Sequence, residues 1–429
     1  MSAPLIERVF NRLSIAGLCA TLIGNGIGRF AFIALMPALI QAGWFTQADA
    51  SYLGVATLVG YMVGAAMSDS LAARFSSAWL LRASMLACSL SFLACAINGA
   101  PMAWYYAWRT AAGVCGAVLM VLPAPVVLAQ HDASIRARTS GVVFSGIGLG
   151  AAISGVLVPL LIAGVGLSVP VGEAGLPLFS LQGVTGAWLG LGITCLALTA
   201  FSWRAWPDET GTAAPPTEAT ELPSDIKLRV ALIAAAHGLN AVGYLAHTMF
   251  LPDYVARELG MPLSTAGFFW SMFGLGAAIG PMLAGTLADQ FGLKRCLVVG
   301  FGLKAFSAIL PVLTSSPAGL LVSAILMGLC TPGIVALVSA YTLDCVGQVH
   351  HRKAWGMATS SFAIAQATGG ALMAFAATRL SSYHALFCVS AAALVGSVIC
   401  VVLIRERSSA AEPRSDSDPS FVVAPSPNP

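Results

Sequence analysis

Charge is what this sequence has least of. Only 9% of its 429 residues are Asp, Glu, Lys or Arg, where a soluble domain carries about 25%. So few charges cannot cover a water-facing surface at this length, which excludes one large soluble core. The ten cysteines form no CxxC pair and no regular framework, so neither a metal site nor a set of disulfides is read from their spacing. Cys19, Cys88, Cys95, Cys115, Cys195 and Cys330 fall inside apolar runs and read as small hydrophobes. Glycine-rich stretches lie within those runs, and none has a Walker lysine. Nothing therefore points to a nucleotide-binding domain, a hydrolase or a nucleic-acid partner. No cleavable leader is evident either, because the first apolar run, near 13–40, is too long for an h-region. No catalytic residue, cofactor or resident metal is expected.

What remains is hydrophobic: 58% of the chain, in long unbroken runs. A hydrocarbon core about 30 Å thick is crossed by roughly 20 helical residues. Twelve such runs lie near 13–40, 50–72, 78–98, 102–129, 139–165, 184–205, 228–252, 264–287, 295–314, 317–343, 354–377 and 383–404. The reading is an all-α polytopic membrane protein of twelve transmembrane helices in two six-helix bundles. Its domains are an N-terminal cytoplasmic segment (1–12), a first bundle (13–205), a cytoplasmic linker (206–227), a second bundle (228–404) and a polar, disordered tail (405–429). The linker holds Pro207, Pro215, Pro216 and Pro223. With both termini cytoplasmic, that side receives sixteen of the 21 Lys and Arg, and the outer side receives Arg257 and Arg379. This is the positive-inside pattern. It places the chain as a multi-pass protein of a bacterial inner membrane, with the lipid bilayer as its first partner. Nothing requires a dimer.

Three basic residues, Arg29, Arg109 and Lys304, stay inside the spans. A repeat gives two of them a context. Asn25 to Pro37 (NGIGRFAFIALMP) matches Asn240 to Pro252 (NAVGYLAHTMFLP) at an offset of 215, and the same offset sets RTAAGVCG, from Arg109, against AILMGLCT, from Ala324. Two parallel six-span halves suit a molecule that rocks. Asn25, Gly28, Arg29 and Phe32 share one helical face, and their counterparts are Asn240, Gly243, Tyr244 and His247. The two polar stripes are expected to face a central cavity.

Three segments carry a resemblance to the major facilitator superfamily. GTLADQFGLKR, from Gly285 to Arg295, resembles the loop motif after the second helix of each half. The resemblance implies that Asp289, with Lys294 and Arg295, gates the cytoplasmic side. The first half keeps Gly64 and Asp69 but lacks the basic pair that follows, with Arg74 as the substitute. RTAAGVCG resembles the fourth-helix motif, which implies a role for Arg109 in proton coupling. GVVFSGIGLGAAISGVLVP resembles the glycine-rich fifth-helix motif of antiporters, which implies close helix packing at Gly141, Gly146, Gly150, Gly155 and Pro159. The opening GNGIGRFAFIALMP is similar to the YbfB/YjiJ branch, which has no general substrate assignment.

The resemblance implies secondary transport of a small solute by alternating access. Arg29 needs a partner or a wet cavity at its depth, and its fork suits a carboxylate or phosphate. Asn25, Phe32, Asn240, Tyr244 and His247 are the other candidate substrate contacts. His247 is also a candidate proton carrier, as histidine titrates near neutrality. Lys304 either turns inward or snorkels toward the cytoplasm. No acidic residue is placed at mid-membrane depth, so an anionic or acidic solute is expected, with protons as the coupling ion. Proton-coupled export of neutral or amphipathic compounds is the alternative, and soft-metal import a lesser one.

Overall fold

The protein was analysed as a computed structural model, which describes residues 5–132, 135–164, 183–207 and 224–404. Glu173, most of the linker and the tail lie outside these residues. Among them, twelve helices are long and apolar enough to cross a membrane: Arg12–Gln41, Gln47–Ser68, Ser77–Cys95, Met102–Ala129, Arg138–Ala163, Gly183–Ser202, Ile226–Glu258, Leu263–Phe291, Leu293–Leu313, Pro317–His351, Lys353–Ala377 and His384–Leu403. We number them spans 1 to 12. In lipid every backbone polar group must find an internal partner, so an apolar run of this length has little choice but to be helical.

The ends of the spans are sealed by side chains. The Asn11 side chain accepts from the Ser14 N–H at 2.9 Å, and Thr46 and Asp49 form a reciprocal capping box. Span 10 runs past the expected residue 343. It is kinked near its end by Gly347, at φ 74° and ψ 171°, a conformation that suits glycine alone, before the chain enters span 11. Span 7 runs to Glu258 because Asp253 and Arg257, one turn apart, neutralise each other on the same helix.

The two halves repeat in packing as well as in sequence. Gly113 of span 4 closes on the Thr57 backbone of span 2, and its repeat counterpart Gly328 of span 10 closes on the backbone of span 8 at Phe273, one residue beyond the counterpart of Thr57. A Cβ at either glycine would overlap the neighbouring carbonyl. Across the halves, spans 5 and 8 touch backbone to backbone: Gly148 against Gly274, and Gly155 against Gly267, with Ser271 Oγ donating to the Ala152 carbonyl at 3.0 Å. Gly146 and Gly150 pack on span 1 instead, against Leu18 and Gly26. Pro159 abuts Gly267, whereas Gly141 has only the Met282 side chain nearby, 3.8 Å from where its Cβ would sit.

Spans 1 and 7 are broken at equivalent places. In span 1 a π-helical turn covers Leu22–Ile27, and the Gly28 N–H reaches back five residues to the Ile23 carbonyl at 2.8 Å. Arg29 follows at φ −102° and opens the next helical stretch, Phe30–Gln41. In span 7, Tyr244 takes φ −106° and ψ −3° between Ser224–Gly243 and Leu245–Asp253. Such irregularities recur at functional sites. They free backbone groups that need partners, and the partners are present: Arg109 Nη2 donates to the Gly28 carbonyl at 2.9 Å.

Candidate substrate site

The two breaks meet. Arg29 Nη2 donates to the Tyr244 hydroxyl at 2.8 Å, so two residues at equivalent repeat positions touch across the interface between the halves. Gln366 of span 11 completes the cluster. Hydrogen-bond logic turns its amide carbonyl inward, where it accepts from Arg29 Nη2 at 2.7 Å, from Nη1 at 2.9 Å and from the Tyr244 hydroxyl. Tyr244 and Gln366 are buried, and Arg29 is half-buried. The Arg29 guanidinium also sits 5.2 Å from the Phe30 ring and 5.6 Å from the Tyr244 ring. Tyr244 stacks on Phe362, Phe362 packs on His237, and His237 packs on Trp355, so an aromatic wall flanks the cluster.

A second cation lies beside the first. Arg109 of span 4 is fully buried, its guanidinium 4.8 Å from the Phe32 ring and 5.6 Å from the Phe92 ring. Its Nε and Nη1 have no acceptor. Arg29 and Arg109 line one small void together with Phe32, Thr57, Thr248 and Met249. The void has room for about one water molecule. Arg109 therefore does not snorkel to the interface.

Lys304 of span 9 turns inward. It is fully buried, its Nζ donates to Asn240 Oδ1 at 2.8 Å, and it stands 5.1 Å from the Tyr244 ring centre. Among the described residues no Asp or Glu pairs with Arg29, Arg109 or Lys304. Among the described residues, these three basic side chains, two at the void and two at Tyr244, thus have neutral partners only.

The other expected contacts take different places. Asn25 Nδ2 donates to the Gly116 carbonyl at 3.0 Å and ties span 1 to span 4. Phe32 lines the void. His247 is buried away from it, with Nε2 at 2.7 Å from Ser323 Oγ of span 10 and its ring edge-on to Phe387 of span 12. Asp289, Arg295 and Arg74 are exposed, and Lys294 Nζ donates to the Ile404 carbonyl at 2.7 Å. The Asp69 side chain lies outside the description.

Two functional candidates went unread in the sequence. Gln366 is one; a lone amide in the apolar stretch SSFAIAQATGG was its signal. Asp253 is the other, and its spacing of four from Arg257 marked it as a paired carboxylate. Asp253 is fully buried and accepts from Arg257 Nε at 2.6 Å, Arg257 Nη2 at 2.7 Å and the Tyr383 hydroxyl at 2.5 Å. Gln47 of span 2 donates to the Tyr383 hydroxyl at 2.9 Å and to the Ala377 carbonyl at 3.1 Å. The end of the molecule opposite the termini is thus tied across the halves. Burial and the Asp253 carboxylate push the Tyr383 phenol up from its ordinary value.

Twelve spans in two parallel repeats, with a polar cluster where broken spans 1 and 7 meet, define a major facilitator protein. The model of one family, that of the uncharacterised MFS-type transporter YbfB, matches residues 21–403, and the chain belongs to that family. It is similar to the uncharacterised MFS-type transporter YfiU of Bacillus subtilis (strain 168), 36% identical over 62 residues. That match takes in 14% of this chain and 12% of the length of that relative. Among solved structures, a mutant of the nucleoside transporter NupG superposes with a TM-score of 0.71 at 12% identity, over 91% of this chain and 99% of that one. A bacterial homologue of the human lysosomal transporter Spinster, inward-facing and unoccupied, superposes at 0.65 with 15% identity, over 94% of this chain and 95% of that one. At these identities the likeness is one of fold.

Proposed function

We propose that the chain is a proton-coupled secondary active transporter that moves a small organic anion by alternating access. It works as a monomer in a bacterial inner membrane with both termini cytoplasmic. One observation carries the anion: Arg29 and Arg109 line one buried void, and among the described residues no carboxylate pairs with either. A charge buried in hydrocarbon is costly unless something offsets it, and a cationic solute would meet two like charges. A carboxylate entering between Arg29 and Arg109 would accept from Nη groups of the first and from the unpaired Nε and Nη1 of the second. The void is too small for that in its present shape, so admission accompanies a rocking of spans 1 and 4 together away from span 7. The rocking units are the halves 13–205 and 228–404, pivoting on the glycine contacts of spans 5 and 8, with Asp69, Arg74, Asp289, Lys294 and Arg295 as the cytoplasmic gate.

Export of neutral or amphipathic compounds is the second reading, favoured by the aromatic wall from Trp355 to Tyr244. Proteoliposomes with an internal pH dye separate the two. Lactate, benzoate, succinate and inorganic phosphate serve as anion probes, and ethidium and tetraphenylphosphonium as cationic amphiphiles. Proton movement with at least one anion, lost in Arg29→Ala, is expected. A response to the amphiphiles alone overturns the anion reading.

A further inference from the structure

Lys304 is the one buried cation that the anion site does not explain. It belongs to span 9, yet its ammonium reaches the polar band of span 7 rather than either membrane surface. It has three N–H donors and one acceptor, the Asn240 carbonyl oxygen, with the Tyr244 ring 5.1 Å away. The titratable groups that face it are His237 and His247 of span 7, the Tyr244 phenol, and the Cys330 thiol of span 10. None of them is a carboxylate. Arg29 touches the hydroxyl of the same tyrosine whose ring Lys304 faces, so the two cations are one side chain apart. An arginine stays charged under all these conditions, whereas a lysine amine changes its protonation with its surroundings.

We propose that Lys304 is the proton-carrying group of the transport cycle. With the site empty, its amine is neutral, because a dry setting, with the Arg29 guanidinium one side chain away, opposes a further charge. When an anion settles between Arg29 and Arg109, its negative charge offsets theirs. The Lys304 amine then takes one proton from the water on the side to which the site is open. Anion and proton cross together, the loaded core gains no net charge relative to the empty one, and the proton leaves as the anion leaves. Tyr244 and Asn240 are the positioning residues that connect the two events. This reading rests on the anion assignment above.

The test uses the full chain in proteoliposomes, with whichever of the four anion probes exchanges fastest, and uptake into protein-free liposomes is subtracted because benzoate and lactate also cross lipid as free acids. Wild type, Lys304→Met and Lys304→Arg are each assayed for anion exchange at equal pH and for accumulation driven by a one-unit pH gradient. One-to-one symport accumulates the anion about tenfold under that gradient. Wild type is expected to do both, and the two variants to keep exchange and lose accumulation. Variants that still accumulate the anion tenfold overturn the role of Lys304 and leave the anion reading standing. A wild type that exchanges none of the four anions overturns the anion reading itself. Should both variants fail to insert, wild-type protein in weakly buffered detergent decides. Uptake of about one proton per bound anion is expected, and anion binding without proton uptake overturns the proposal.

Discussion

Arg109→Met separates a functional arginine from a structural one, because the two predict opposite signs. The substitution keeps a long flexible side chain and removes the guanidinium. It forfeits one charge-assisted bond to the Gly28 carbonyl, about 1.5–3 kcal/mol, and ring contacts with Phe32 and Phe92, about 0.5–2 kcal/mol each. Against these stand the desolvation of a fully buried charge, several kcal/mol, and two N–H groups without acceptors, about 1–3 kcal/mol each. The second set equals or exceeds the first. The empty protein is therefore expected to be as stable as wild type, or more stable by about 1–4 kcal/mol, as when buried ions give way to apolar side chains. The loaded protein loses a cation worth about 1.5–3 kcal/mol to a bound carboxylate, an affinity loss of about 10- to 150-fold. Thermal unfolding read with a thiol-reactive dye, with and without benzoate, measures the first quantity, and the half-saturation of exchange measures the second. A lowered melting temperature with unchanged half-saturation would refute the reasoning and make Arg109 a structural strut.

Four further outcomes are expected. Arg29→Lys keeps the charge but not the fork, and raises the half-saturation for carboxylates about tenfold; exchange kinetics check it. Asp253→Ala breaks a buried pair whose arginine side chain is 24% exposed, costing about 2–4 kcal/mol and lowering the melting temperature. In the same network the raised Tyr383 phenol gives stability that is present below pH ~10 and lost as pH rises above it. Tyr383→Phe should flatten that alkaline loss in melting curves. Gly148→Leu would drive a side chain into the Gly274 and Ala278 backbone; normal membrane insertion with no exchange is expected, and wild-type exchange would show that spans 5 and 8 do not need their close contact.

Much of this was legible before any coordinates. Twelve long apolar runs give twelve spans, because lipid allows a run of that length no other backbone. The offset of 215 placed Arg29 opposite Tyr244, and they do meet. What stayed hidden depends on helix rotation. Span 9 is apolar nearly all round, and span 11 scatters Thr359, Ser360, Ser361, Gln366 and Thr368 about its axis, so no single polar face shows which side of each turns inward. Periodicity could therefore orient neither Lys304 nor Gln366. His247 shares the stripe of Tyr244 in register, yet its imidazole meets Ser323 of span 10, a partner that periodicity along one helix does not name. Asn25 and Asn240 were named correctly as polar, yet only coordinates could show that one spans to a backbone carbonyl and the other to a lysine.

The meeting of Arg29 with Tyr244 also limits how alike the two halves can be. The residues hold the same place in the repeat, one as donor and the other as acceptor. Identical halves would set guanidinium against guanidinium there, or phenol against phenol with no cation to receive a solute. A molecule assembled from two copies of residues 13–205 could not close its centre, whatever linker joined them. Sameness serves the moving frame, and difference at one matched pair serves the cargo.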